Sequence, residues 1–455
     1  MNKIRKYLIV SFAIVITLAA FFAYLFFYNA NSSVTIKILM YDQTSGGEIN
    51  AAYNNMIDSM PGFKEKMAVS GVNVSFAFDL IPPDDDAART KKALDFSNNQ
   101  AADILIMNPP ELAEFVEAGY VYDLTEKLRD WPDWANYTDS AKATVLYKNR
   151  YYGLPIGMYA SAISYRKDLF EEAGLPSEWQ PKNVSEIISA AMILKQRFPD
   201  MEMPVGCVHE IFSSTIETVL PLIWGYGGEI YNQTSNKWIA KSPQILEAAE
   251  WLDEVYNIKS ISLSSVPRNP NPWSTCVRMF AENDCAMFMC TTSLESWAWG
   301  PEGEFPLQDL RNQLGYAAFP GSGLPGTPAF SGMSDAYILV INNHCKNPTI
   351  AWDFLKLLNS GEKVAKISES GSVLSPRSDS IYYTNYSSNP FPKELRWFLN
   401  YTRIYPINEE YPIVDELLQH LIEDILDNLG PQKALDNFYS GMRNRLGDSK
   451  IEIWQ

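Results

Sequence analysis

From its first polar residues onward the chain alternates strand-like and helix-like segments, and that alternation restricts it to a layered α/β architecture. Residues 34–40 place Val34, Ile36, Ile38 and Met40 on one face at a period of two, as a half-buried strand requires. The loop at 41–48, with Gly46 and Gly47, leads into a helical stretch near 51–60. A second strand pattern at 72–78, a helix around 87–96 and a short apolar strand at 104–107 follow. The Asp84, Asp85 and Asp86 run before that second helix favours its dipole and reads as a solvated helix start.

Further along, Ser185 is placed to cap a helix carrying Ile187, Ala191, Leu194 and Phe198. Ser242 with Pro243, and Asn347 with Pro348, supply N-cap and first-turn residues for two more. Strands fit at 286–289 and 337–341. The stripe Val414, Leu417, Leu418, Leu421, Ile422 and Ile425 has the helical period and closes before Gly430 and Pro431. At 455 residues with 46% hydrophobic content, the chain exceeds what one core usually organises, so two lobes are expected.

The formal charge of -17 repels phosphate backbones and excludes nucleic acid as a partner. His209, His344 and His420 are far apart. The odd set Cys207, Cys276, Cys285, Cys290 and Cys345 contains no C-x2-C pair. No metal site, cofactor site or disulfide framework follows from these residues, and buried thiols are expected.

Lys3, Arg5 and Lys6 form a basic flank over residues 1–6, followed by an uncharged apolar run over 7–28. As a helix that run would rise about 33 Å, enough for a hydrocarbon core of about 30 Å. A cleaved signal has a shorter apolar region and small residues at its exit, whereas Phe26, Phe27 and Tyr28 stand here. The run is therefore expected to stay as a single-pass anchor, with the flank cytoplasmic and the remainder extracytoplasmic.

Several segments in order resemble the extracellular solute-binding protein family that includes maltose-binding protein. ADILIMNPPELAEFVEAGYVYDL at 102–124 is similar to the family's strand, ligand loop, helix and G-x-[ILV]-x-[DE]-L turn. YGLPIGMYASAISYRKDL at 152–169 is similar to its G-x-P strand crossing between lobes and Y-x-K-D-L strand end. The W-x-x-G-G-x stretch at 224–232, FAENDCAMFM at 280–289, the helix from Asn347 and the tail from Pro412 complete the likeness. Asn283 and Asp284 depart from the family's small turn residues, and Asn108, Pro109 and Pro110 replace the polar ligand loop of its maltose binders.

The resemblance implies an α/β, two-lobed periplasmic-binding-protein-like fold of type II with interlobe hinge strands, here preceded by one N-terminal transmembrane helix. Lobe one would hold 34–157 and 331–371, and lobe two 158–330 and 372–455. Ligand would lie in the crevice between them, be handed to the permease subunits of an ABC transporter, and meet the protein as a monomer. Carried over to this sequence, the ligand-binding candidates are Asp42, Gln43, Asn108 and Asp335 on lobe one, and Glu217, Trp297 and Tyr411 on lobe two. Tyr159 stands at the crossing, where maltose binders carry a sugar-contacting carboxylate, and Tyr411 lies near the position of their stacking Trp. Trp273 and Trp299 read as rim or core residues.

Flat aromatic faces with carboxylates and amides suit a carbohydrate, and the chain reads as a binder rather than an enzyme. A secreted glycoside hydrolase remains the rival from another class, although no feature singles out the two flanking carboxylates it would need. A membrane-tethered sugar-sensing ectodomain is a third reading. If the anchor is retained, mass analysis of the native protein finds Met1 or Asn2 at the N-terminus; a soluble form beginning near residues 29–34 would overturn it.

Overall fold

The computed structural model describes residues 32–42, 47–81, 85–207, 216–268, 272–292, 294, 298–371, 373–384 and 390–455. The proposed anchor at 7–28 lies outside them, and among the described residues no helix is long and apolar enough to cross a membrane. The expected alternation is present. Strand β1 (Ser32–Tyr41), helix α1 (Gly47–Val69), β2 (Val72–Ile81), α2 (Asp85–Ser97), β3 (Ile104–Met107) and α3 (Pro109–Glu117) follow one another. β1 pairs in parallel with β2 on one side and β3 on the other.

Helix α1 runs past Pro61, where the sequence pattern ends. Proline removes one helical hydrogen bond, but Phe63 packs its ring 5.1 Å from that of Phe354 and is buried, so tertiary burial carries the helix through.

The long strand β4 (Gly153–Arg166) organises the rest. Helix α4 (Val184–Arg197), β5 (Met203–Gly206), α5 (Ile216–Gly225), α6 (Pro243–Asp253), β6 (Cys285–Thr291), β7 (Leu314–Ala318) and β8 (Gly332–Ile341) follow it. Then come α7 (Pro348–Leu358), β9 (Thr402–Arg403), α8 (Tyr411–Leu426) and α9 (Pro431–Leu446). Among the described residues one nine-stranded sheet runs β2-β1-β3-β8-β4-β6-β5, with β7 added to β4 and β9 to β8.

Ser242 caps α6 as expected, its hydroxyl accepting from Ile245 N at 3.2 Å. The cap of α4 differs from expectation: Asn183 Oδ1 accepts from Glu186 N at 3.1 Å, and Ser185 lies inside the helix. Pro431 opens α9 rather than merely closing α8. All five cysteines are buried as thiols, and Trp299 is core, stacked on Phe280 at 4.0 Å.

Two apolar cores divide the molecule, and the division falls inside the strands. β4 gives Leu154, Ile156, Met158, Ala160 and Ala162 to one core but Ile163 and Tyr165 to the other. β8 gives Met333 to the second and Ala336 to Ile341 to the first. The first half of β4 pairs with β8, and its second half with β6 and β7. β5, β6 and β7 also give side chains to both cores, so it is the exchange of partners along β4, rather than the cores, that marks the two-lobed α/β arrangement.

A further segment touches the crossing, where Met158 and Leu374 exchange backbone hydrogen bonds of 2.9 Å in both directions. Beside them Gly157 has no room for a side chain: a Cβ there would stand 2.8 Å from Val373 Cγ2. Gly157→Ala is expected to destabilise the fold by about 1–3 kcal/mol in urea unfolding through overpacking. Val373→Ala in the same chain should recover most of that loss, and a cost for Gly157→Ala within about 0.5 kcal/mol, the range of an ordinary surface change, would contradict the close approach.

Candidate functional site

The crossing strands bring one predicted pair face to face. Tyr159 on β4 and Asp335 on β8 are directly opposed in the antiparallel ladder, so their side chains share one face of the sheet. Tyr337, two residues on, lies on that face as well. Its ring meets Tyr159 edge-on at 5.8 Å and Tyr41 edge-on at 5.9 Å. All three of Tyr159, Asp335 and Tyr337 are half-buried, between core and solvent.

Parallel strands of the first core deliver another part. β1 pairs Ile38 with Ile104 and Leu39 with Leu105 of β3, and the same register puts Asp42 and Asn108 level with each other just past the carboxyl ends of the two strands. In open α/β sheets that end of the sheet is where ligands are held. Asp42 is fixed through its backbone N, which donates to Ile81 O at 2.7 Å. Behind these two residues lies a buried ion pair between Lys92 and Glu111.

On the other side Glu217 occupies the first turn of α5. Its carbonyl accepts from Ser161 Oγ at 3.1 Å, and Ser161 Oγ accepts in turn from Met333 N at 3.0 Å, so the helix start is tied to both crossing strands. The thiol of Cys290 donates to Glu217 Oε2 across 3.7 Å. Burial, and then the Glu217 carboxylate, push that thiol well above its ordinary range and keep it a protonated donor.

Asp335 is positioned from the C-terminal part of the chain. Its Oδ1 accepts from Tyr405 Oη at 2.8 Å and from Ala336 N at 2.7 Å. Tyr405 stacks on Tyr411 with ring centroids 5.0 Å apart and planes within 16°. Tyr411, a candidate from the sequence, is 3% exposed, as is Tyr405. Of the remaining sequence candidates, Asp42, Asn108, Tyr159, Glu217 and Asp335 are half-buried, whereas Gln43 and Trp297 lie outside the described residues.

Tyr41, Tyr337 and Tyr405 were not singled out by sequence. Extending the β8 pattern back by a few residues would have placed Asp335 and Tyr337 on one face. Tyr405 follows no regular period and had no comparable signal. Among the described residues no group of three His, Cys, Asp or Glu is arranged to hold a metal ion.

A sheet shared by two lobes, with polar and aromatic side chains on its crossing strands and at the strand ends beside them, defines a two-lobed binding protein. The model of the bacterial extracellular solute-binding protein family matches residues 63–390, and the chain belongs to that family. A binding protein of Brucella abortus (strain 2308) is 23% identical over 380 residues, covering 82% of this chain and 87% of its own.

Among solved structures, the GacH receptor of Streptomyces glaucescens, known unliganded and with acarbose, superposes with a TM-score of 0.72 at 18% identity. The match covers 92% of this chain and 99% of that one. An ABC transporter solute-binding protein of Thermotoga lettingae bound with α-D-tagatose gives 0.71 at 21% identity, over 92% and 100% of the two chains. The cyclic α-maltosyl-1,6-maltose binding protein of Arthrobacter globiformis gives 0.73 at 16%, again over 92% and 100%. At these identities the likeness establishes the maltose-binding-protein-like fold.

One carboxyl near the site is under strain. Asp415 Oδ2 accepts from Gln419 Nε2 at 3.0 Å, while its buried Oδ1 has no hydrogen-bond partner among the described residues. Burial, with Glu416 adding to it, raises its pKa from the usual 3.8 to about 7. The folded state therefore holds its proton more tightly than the unfolded chain does. No penalty exists below the ordinary Asp range; it grows as pH rises from about 4 to about 7 and is complete above, at roughly 1.4 kcal/mol per unit of separation. Asp415→Asn should accordingly melt higher than wild type at pH 8, with the difference shrinking toward zero near pH 4. A pH-independent difference in melting temperature would rule out the buried acid.

Proposed function

We propose that this chain captures a neutral sugar or oligosaccharide between its lobes and delivers it to the permease subunits of an ABC importer. The observation that carries this reading is the Tyr159, Asp335 and Tyr337 cluster on the strands that cross between the two cores. A sugar offers weakly polar C–H faces and a rim of hydroxyls, and tyrosine rings beside carboxylates complement both. Asp42, Asn108 and Glu217 supply further acceptors and donors from either side, and Gln43, Trp297 and Tyr411 complete the proposed ligand set, Tyr411 by supporting Tyr405. Carboxylates disfavour anionic ligands in such a crevice.

The family is one of binding proteins rather than enzymes, and the acarbose, tagatose and cyclic maltosyl-maltose ligands of its structural neighbours support a saccharide. Lobe one is assigned 34–157 and 331–371, and lobe two 158–330 and 372–455. The 7–28 run tethers the protein, a monomer, with its lobes on the extracytoplasmic side.

A thermal-shift screen against mono- and oligosaccharides tests the ligand class, since a ligand that binds only the native state raises its stability by mass action. Calorimetry with the best sugar then tests the floor of the crevice. Tyr159→Ala removes a stacking face worth about 0.5–1.5 kcal/mol and a hydrogen bond of about 1 kcal/mol, hence roughly tenfold to hundredfold in affinity. Tyr159→Phe loses only the hydroxyl's share and falls between. Affinities within about twofold of wild type for both variants would remove Tyr159 from the site.

A further inference from the structure

We infer that Lys92 and Glu111 form a buried positioning pair that fixes the lobe-one half of the crevice, an assignment that rests on the crevice reading given above. Lys92 lies on α2 and is 0% exposed; Glu111 lies in the first turn of α3 and is 8% exposed. Lys92 Nζ donates to Glu111 Oε2 at 2.5 Å. The same oxygen accepts from Asn108 N at 3.1 Å, the residue level with Asp42 at the strand ends. On its other side the ammonium stands 5.6 Å from the ring centroid of Tyr41, the residue before Asp42. One cation and one carboxylate thereby join α2, the entry to α3 and the end of β1.

Stability alone does not account for the pair. Two ions taken out of water gain little over apolar residues of equal volume, and such replacements are often neutral or stabilising. The neighbouring cations of α2 behave differently: Arg89 and Lys91 make their ion pairs where both partners remain partly in water. A glutamate three residues after an N-cap commonly reaches back to the N-cap amide from the solvent side. Here that carboxylate is buried, and only a buried cation makes its burial tolerable. An apolar pair would fill the same space but could neither accept from Asn108 N nor place a cation over Tyr41. What the pair adds is a buried acceptor that holds the Asn108 amide, with the cation offsetting its charge, and so a defined position for the strand ends that present Asn108 and Asp42. Because the charges cancel within the pair, Lys92 leaves no net positive charge behind them, consistent with a neutral ligand.

The test uses the full-length chain and two readouts: amide-resolved hydrogen exchange, and calorimetry with maltotriose. In Lys92→Met/Glu111→Met, which keeps the volume and removes the acceptor, the Asn108 amide should exchange at least about tenfold faster than in wild type. The Met158 and Leu374 amides of the crossing should stay unchanged. Lys92→Met/Glu111→Gln retains an acceptor and should return Asn108 to within about threefold of wild type. Maltotriose affinity should fall at least about tenfold in the first variant and recover in the second.

Asn108 exchange within about threefold of wild type in the double-Met chain overturns the proposal, as does equal acceleration at Asn108, Met158 and Leu374. Should the double-Met chain not fold, Glu111→Gln and Lys92→Met/Glu111→Gln decide: both keep an acceptor, so Asn108 stays protected in both, and its exposure in either overturns the assignment. If maltotriose and the wider sugar panel fail to bind wild type, it is the saccharide reading that falls, while the exchange results still judge the pair.

Discussion

The pairing of β4 with β8 is the constraint on which the molecule depends. β4 pairs with β8 along its first half and with β6 and β7 along its second, so one hydrogen-bonded ladder fixes where the lobes meet and which residues stand between them. A slip of β8 by one residue against β4 would turn Asp335 to the opposite face and bring its apolar neighbour Ala336 to face Tyr159. Burial on both sides makes such a slip expensive. The ladder also contains its own irregularity: Tyr337 faces Gly157 while Ile338 faces Pro155, so Ile156 is left over as a bulge. That bulge explains how a proline is accommodated in a buried central strand, where it could not otherwise complete the ladder.

The buried cations follow the same geography. Arg166, at the end of β4, is held by both oxygens of Asp168 and donates to Phe280 O at 2.9 Å. Arg377, three residues beyond the Leu374 bridge, reaches Asp379, Asp133 and Asn359 O. Lys92 stands behind the ends of β1 and β3. Among the described residues most other ion pairs are at the surface, where each contributes at most about 1 kcal/mol. A net charge of -17 therefore says much about solubility and ligand charge but little about the fold.

Sequence revealed the features that rest on local chemistry. The four apolar residues of β3, the serine cap of α6 and the stripe of α8 could be read because period and capping are set within a few residues. Asn183 also carried a local signal, since Asn183 and Glu186 have capping-box spacing, and Ser185 merely lay nearer the apolar stripe. The extension of α1 beyond Pro61 could not be read, because it depends on Phe63 meeting Phe354 from a distant part of the chain. Nor could the first half of β8, where Gly332, Met333, Ser334, Asp335 and Ala336 have little strand preference and become a strand because β4 pairs with them. The same reasoning covers the site. Tyr159 and Asp335 could be named from the family resemblance, but their opposition is a property of register. Tyr405 has meaning only through its contact with Asp335, and Lys92 only through its burial.

Were the lobes to close on ligand, as the interlobe hinge strands implied by the family resemblance would allow, the two kinds of position in the proposed site would have different consequences for that closure. Tyr159 and Asp335 lie on the crossing strands, where the ladder holds them in one relation whether the lobes stand apart or together. Asp42 and Asn108 belong to strand ends on one side, and Glu217 to a helix start on the other. A ligand can drive closure only through contacts that differ between the open and closed forms. Contacts to the floor add to affinity in both forms and shift nothing between them. Contacts that span from Asp42 or Asn108 to Glu217 would exist in full only once the lobes had met, so they alone would favour a closed form. Loosening the Asn108 end of that span would therefore weaken closure more than first encounter, whereas weakening the floor would lower affinity in both forms and leave the closing equilibrium of the bound protein unchanged.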